Sequence, residues 1–439
     1  MKRYQGNWKS VNTHTVPAWY DDCKFGIFIH WGIYSVPAYA PHTWELGEVD
    51  SKEWFMNNPY AEWYYNSINI GEGHTYERHV EKYGKDFKYE DFIPQWKAEK
   101  WKPEEWARLF KEAGAKYVVL TTKHHDGFCL FPSKYTDFST ANMGPGRDIT
   151  GELTDAVRAA GLKMGLYYSG LIDWQYANDP ILEDDDLFGT ASPTFAYADY
   201  SYNQMMELVD NYKPSVFWND IGWPRQSEEA MPYFLAHYFN TVPDGVVNDR
   251  FNGRYHDFTT KEYKSGSENR EEKWEMCRGM GFSFGYNENE GDDQLISVPD
   301  LISLLVKTVA NNGNLLLNIG PRADGTIPEE QARRLRILGR WLAVNGEGIY
   351  GTKISSRTSQ ELENGISLHY TRKGERLFVF IDGALQEGRT VLIKGYHGPL
   401  TPLDKRLSIR TEDSPEGLSV TPVGYQQDMY TVCLEGREE

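Results

Sequence analysis

In Ser215-Val216-Phe217-Trp218-Asn219-Asp220 the alternation of a β-strand puts Val216, Trp218 and Asp220 on one face. A carboxylate therefore stands beside an indole where an apolar strand stops. An Asp after a strand is also a ready helix N-cap, but Gly222 and Pro224 follow too closely for an immediate helix start. Asp220 is read as a residue that does chemistry. The doublet His124-His125 invites a metal reading, and its spacing opposes one. Adjacent strand residues point to opposite faces, so two ligands of one metal want a spacing of two, and the helical pair His-Glu-x-x-His is absent. The expectation for the doublet is hydrogen bonding to a substrate hydroxyl, with His30 joining from another strand end. For either histidine the alternative is a satisfied core residue. No metal and no cofactor are expected.

The elements that must position these residues alternate along the chain. Short apolar runs at 25–30, 117–122, 163–168, 215–219, 245–248 and 314–319 read as strands. Helical patterns lie between several of them, at 103–113, 150–160, 203–212 and 299–310, with another at 328–344. Such alternation means a parallel sheet. The strands end in His30-Trp31, Lys123-His124-His125-Asp126, Tyr167-Tyr168, Trp218-Asn219-Asp220, Asn248-Asp249-Arg250 and Asn318. Chemically capable residues at every strand end fit a TIM-like (β/α) barrel, whose strand ends meet on one face; an open sheet would gather them at one or two switch points. From about residue 352 the texture changes to short alternating runs at 366–370, 376–381, 390–393, 407–409 and 429–434, which read as a small β-sandwich. The expected division is a barrel over 1–351 and a sandwich over 352–439. The acidic stretches 46–59 and 178–195 read as long loops on the barrel.

Composition narrows the class of partner. The chain has 439 residues, with 64 acidic against 46 basic side chains and a formal charge of −18, which argues against nucleic acid. No run of about 18 apolar residues is present to cross a membrane. The opening Met1-Lys2-Arg3-Tyr4-Gln5-Gly6 has no apolar stretch behind it, and Cys23, Cys129, Cys277 and Cys433 are scattered. Both point to a reducing, cytoplasmic setting. The oligomeric state stays open, a homo-oligomer included. Aromatic residues make up 14%, with 29 Tyr and 14 Trp. A large core accounts for most of them, but aromatic faces also pack on sugar rings. Arg250, following Val246 and Asn248 on one strand face, should then meet a carboxylate or a sugar oxygen, with a structural ion pair as the alternative. Glycoside hydrolysis needs a second carboxyl group, and spacing does not choose among the many acids after Asp220.

At these residues the chain resembles the retaining α-L-fucosidases of glycoside hydrolase family 29, from Trp19-Tyr20 to about Thr352. The likeness is carried, in order, by Gly26-Ile27-Phe28-Ile29-His30-Trp31-Gly32, Ala61-Glu62-Trp63-Tyr64, Thr122-Lys123-His124-His125-Asp126-Gly127-Phe128 and Gly146-Arg147-Asp148. It continues through Tyr167-Tyr168-Ser169, Trp218-Asn219-Asp220, Val247-Asn248-Asp249-Arg250, Ser283-Phe284-Gly285-Tyr286-Asn287 and Asn312-Gly313-Asn314-Leu315-Leu316-Leu317-Asn318-Ile319-Gly320-Pro321. The resemblance implies an irregular (β/α) barrel with a C-terminal β-sandwich, and exo-acting release of L-fucose from fucosylated oligosaccharides or glycoconjugates. It makes Asp220 the nucleophile. Glu262, in Thr259-Thr260-Lys261-Glu262-Tyr263, matches the acid/base of one branch of the family, and Glu275, in Lys273-Trp274-Glu275, is its rival. His30, Glu62, Trp63, His124, His125, Tyr167, Trp218 and Arg250 match the sugar-binding set, and Phe284 an aromatic near the sugar's methyl group. The stretch 46–59 departs from the family pattern. Two other readings stand beside this one. A metal-dependent barrel hydrolase would use His30, His124, His125, Asp126 and Asp220; a fucose-binding protein without catalysis would have no need of Asp220.

Overall fold

A computed structural model of the chain describes residues 3–44, 48–177, 179–189, 194–263, 272–383, 387–426 and 429–437. Eight parallel strands form one curled sheet: β1 (Phe25–Ile29), β2 (Tyr117–Lys123), β3 (Lys163–Ser169), β4 (Val216–Asp220), β5 (Val246–Val247), β6 (Thr259–Glu262), β7 (Trp274–Arg278) and β8 (Gly313–Ile319). Their order is β5-β4-β3-β2-β1-β8-β7-β6. The two edges meet through a single parallel bridge, Asn248 to Phe258. Beside it the Asp257 side chain accepts the Val247 N–H at 2.9 Å. The result is a TIM-like barrel closed by a weak seam. β1, β2 and β8 are buried along their whole length, which is why they read as unbroken apolar runs.

The helices stop and start where their sequences dictate. Pro103 occupies the first turn of Pro103–Glu112, where its missing N–H costs nothing. Asp148 caps Ile149–Ala159 by accepting the Gly151 N–H, and Ser297 caps Val298–Ala310 through the Asp300 N–H. Each buries an apolar stripe in the core of the barrel.

The structure differs from the sequence reading in several places. The helix expected at 203–212 is Phe195–Tyr212, capped by Thr194. Its first two turns bury Tyr197, Ala198, Tyr200 and Ser201, a mixed set without an apolar period. The two acidic stretches are not simply loops. Ser51–Met56 is a helix capped by Asp50, and Asp184–Gly189 is another. Residues 46–47, 178 and 190–193 of those stretches lie outside the described residues. The strand expected at 245–248 shortens to Val246–Val247, because the chain turns into the 3-10 helix Asp249–Phe251.

Antiparallel strands begin at Lys353. Gln360–Glu361, Ser367–Lys373, Arg376–Asp382, Val432–Arg437 and Thr401–Pro402 pair in that order, with Lys353–Ile354 added on Ser367–Lys373. A second sheet pairs Val391–Lys394, Gly417–Val423 and Ser408–Ser414. Leu377, Val379 and Ile381 pack into a core with Val391, Ile393 and Val420 of the second sheet. The alternate residues Phe378 and Phe380 join the core of the barrel instead. One strand thus serves two cores, as a period of two allows.

Candidate active site

A cavity of about 200 Å³ opens at the C-terminal ends of the barrel strands. The catalytic and sugar-binding residues that the resemblance implies line it: His30, Glu62, Trp63, His124, His125, Tyr167, Trp218, Asp220, Arg250, Glu262 and Phe284. Asp126, named in the metal reading, does not; it is buried and accepts the Tyr89 hydroxyl at 2.8 Å. Neither does Glu275. It lies inside the barrel, fully buried, and accepts hydrogen bonds from Tyr20, Tyr117 and the Trp218 indole.

Asp220 closes β4 and is held from two sides. Tyr167 donates to its Oδ2 at 2.8 Å, and Arg250 Nη1 donates to Oδ1 at 2.8 Å. Burial alone would push this carboxyl up; Arg250, His125 and Tyr167 outweigh it and hold the group below its ordinary range. The turn that follows is unusual. Ile221 has φ +65°, a left-handed backbone that a β-branched residue seldom takes. The Asn219 amide stabilises it by donating to Gly222 O at 2.9 Å and to Arg250 O at 3.0 Å, so one side chain ties the Asp220 turn to the Arg250 turn.

Arg250 lies in the turn Asp249–Phe251 and not on a strand face, as β5 ends before it. Its guanidinium reaches both carboxylates of interest: Nη1 to Asp220, and Nη2 to Glu262 at 3.2 Å. Nε donates to Thr260 at 3.0 Å, and the guanidinium carbon rests 4.7 Å from the centre of the Trp218 ring. Glu262 ends β6 and also accepts the Tyr60 hydroxyl at 3.2 Å.

The histidines are neutral at ordinary pH. Burial pushes His30 down to about 3 and His125 to about 4, and pushes His124 well below its usual value. Their tautomers follow from their partners. Asn318 gives its amide hydrogen to Phe284 O, so its oxygen faces His30 Nδ1 at 2.7 Å and accepts from it. Ser169 donates to Ile172 O, so it accepts from His125 Nδ1 at 2.7 Å. Each ring is left with Nε2 as a hydrogen-bond acceptor. Glu62 complements them. Burial raises its carboxyl to about 8, and one oxygen takes the Gly285 N–H at 2.8 Å, so near neutral pH the other carries a proton to donate.

Several lining residues escaped the sequence reading. Trp54 and Phe55 come from Ser51–Met56, and Asp184 and Leu187 from Asp184–Gly189, the segments read as loops. Tyr60, the partner of Glu262, stands two residues before Glu62 and had no pattern of its own to mark it. Phe28, Ile221 and Cys277 complete the wall. Among the described residues no group of three or more His, Cys, Asp or Glu could hold a metal ion, and no helix is long and apolar enough to cross a membrane.

Comparison with known proteins points one way. A sequence model described as alpha-L-fucosidase matches residues 1–347. The chain is 38% identical over 366 residues to an alpha-L-fucosidase of Dictyostelium discoideum, covering 80% of this chain and 75% of that one. It is 38% identical over 392 residues to the tissue alpha-L-fucosidase of Homo sapiens, covering 86% and 78%. Among solved structures it resembles the alpha-fucosidase of Thermotoga maritima in complex with fucose, with TM-score 0.90 and 46% identity over 99% of this chain and 100% of that chain.

Proposed function

The chain belongs to the α-L-fucosidase family, and from that premise we propose that it is an exo-acting retaining enzyme with Asp220 as nucleophile and Glu262 as acid/base. As an α-L-fucosidase it is a glycoside hydrolase that acts on fucosylated substrates. The observation that carries the finer reading is Arg250, whose two terminal nitrogens bond Asp220 and Glu262 in the wall of one cavity.

In the first step Asp220, kept ionised by Arg250 and Tyr167, bonds to the anomeric carbon as the glycosidic C–O bond breaks. Glu262 gives its proton to the departing oxygen. In the second step Glu262 takes a proton from water, the water oxygen bonds to the same carbon, and the bond to Asp220 breaks. Two inversions retain configuration.

The rest of the cavity suits L-fucose. His30 and His125 offer neutral acceptors and Glu62 a donor, so sugar hydroxyls find partners of both kinds. Phe28 and Phe284, about 6.4 Å apart between ring centres, give an apolar corner that fits a methyl group better than a hydroxymethyl. The cavity is small beside ligand pockets of about 300–1,000 Å³, which favours a single terminal sugar and exo action.

Hydrolysis of an aryl α-L-fucoside, followed by NMR, tests the stereochemistry: α-L-fucose should appear first, and β-L-fucose first would overturn the double displacement. Asp220→Gly should nearly abolish turnover yet use added azide to give β-L-fucosyl azide. Near-normal turnover in that variant would remove Asp220 from the role.

A further inference from the structure

Glu275 has no place in the two-step reaction, yet it is a fully buried carboxyl group at the centre of the barrel, on β7. Burial pushes it above its ordinary range, and the three hydrogen bonds it accepts favour its ionised form against that push. Its surroundings are specific. Tyr20 donates to Oε2 at 2.8 Å from the helix Ala18–Cys23, and Tyr117 donates to the same oxygen from β2. Trp218 Nε1 donates to Oε1 at 2.9 Å from β4. Asn314 of β8 lies opposite in register, Cys277 follows two residues on along β7, and Lys273 stands just before the strand begins. Lys273 turns to Asp21, 3.2 Å away.

The Trp218 indole is the link to the reaction. The ring packs against the two side chains that hold Asp220: Arg250, with its guanidinium carbon 4.7 Å from the ring centre, and Tyr167, stacked at 5.5 Å with an interplanar angle of 22°. A hydrogen bond from an indole N–H to a carboxylate fixes the plane of the ring and pushes electron density into it. A cation over an indole is drawn to that density.

We propose that Glu275 is a positioning residue for fucosyl transfer: through its hydrogen bond to Trp218 it fixes the indole plane and enriches the face on which Arg250 rests, and so sets how firmly Arg250 holds Asp220 and Glu262. The proposal rests on the roles given above to Asp220 and Glu262. It also gives a reason for an acid in the barrel core, where removing a partner from a buried charge is costly.

The test is Glu275→Gln, which keeps the shape and an acceptor for the indole N–H but removes the charge. The relay and a plain through-space effect have opposite signs. If Glu275 acts through Arg250, its neutralisation loosens the guanidinium from Asp220, so the acid limb of kcat/KM moves to higher pH, by about half a unit or more. If it acts only as a nearby negative charge, its removal favours ionised Asp220 and the limb moves lower. The expected result is the upward shift, with kcat down about 10–100-fold and the inhibition constant of fucose changed far less. An unmoved or lowered limb overturns the proposal.

Trp218→Phe serves as the second arm, because it keeps an aromatic ring but cuts the link. Adding Glu275→Gln to Trp218→Phe should then cost almost nothing more, whereas independent, additive losses would overturn the relay. Thermal melts confirm that each variant is folded, and the Trp218→Phe acid limb carries the test if Glu275→Gln does not fold. Azide rescue of Asp220→Gly separates the two levels. Failed rescue removes the nucleophile reading itself; successful rescue with no upward shift removes only the relay.

Discussion

A proton donor matters in proportion to how poorly the leaving group departs alone. Glu262→Ala should therefore lose little in forming the fucosyl-enzyme from an activated aryl fucoside, and about 10²–10⁴-fold on a fucosylated oligosaccharide. Pre-steady-state and steady-state rates on the two substrates check this, with wild-type behaviour on oligosaccharides against the assignment. A second expectation concerns Glu62, whose carboxyl is raised to about 8 by burial. Its protonated form is the donor, so sugar affinity should be level from about pH 5 to 7 and fall as pH rises through about 8. The inhibition constant of fucose measured against pH shows it, and Glu62→Gln, which always offers N–H, should flatten the rise. Asp220 was legible in the sequence because strand alternation and the residues after it gave it an environment. Glu262 was not legible from spacing, because what singles it out is contact with Arg250 and Tyr60, which only the folded barrel supplies.

Short helices build the lip of the cavity. Ser51–Met56 sets Trp54 edge-on to Tyr60, with ring centres 5.3 Å apart, and Phe55 against Trp63 at 5.5 Å. Asp50 caps this helix by accepting the Glu53 N–H at 3.1 Å. Asp50→Ala should cost the segment about 1 kcal/mol. Faster amide exchange across 51–56 and a KM about 2–5-fold higher for oligosaccharides should follow, with kcat on a small aryl fucoside unchanged. Equal exchange rates in the two proteins would mean that the cap does not hold the lip. Elements of this kind explain most of what the sequence reading missed. Strands β1, β2, β3, β4 and β8 are apolar runs bounded by polar ends, and helices such as Val298–Ala310 carry a clear stripe. A helix of six residues shows too few turns for a period to emerge. β6, with the sequence Thr-Thr-Lys-Glu and only half buried, lacks the apolar signal of a barrel strand although it carries Glu262.

The whole molecule is joined by a strand with two apolar faces. Phe380 of Arg376–Asp382 is fully buried in the barrel's core while its neighbours fill the sandwich. Phe380→Ala should destabilise by about 3–5 kcal/mol. Calorimetry should show one transition moving to lower temperature, because the two cores share the damaged strand; two separating transitions would show that they melt independently. The parallel sheet has a further consequence, for biosynthesis. β1 pairs with β2 on one side, but on the other its partner is β8, about 290 residues later in the chain. At about 5–20 residues per second a ribosome needs roughly 15–60 s to deliver that partner. Through that interval β1 leaves the exit tunnel with an apolar face and a row of backbone groups unclaimed, a template for pairing with a neighbouring nascent chain. Active yield in a cell should therefore follow the supply of chaperones at the ribosome more closely than it follows the melting temperature of the finished barrel.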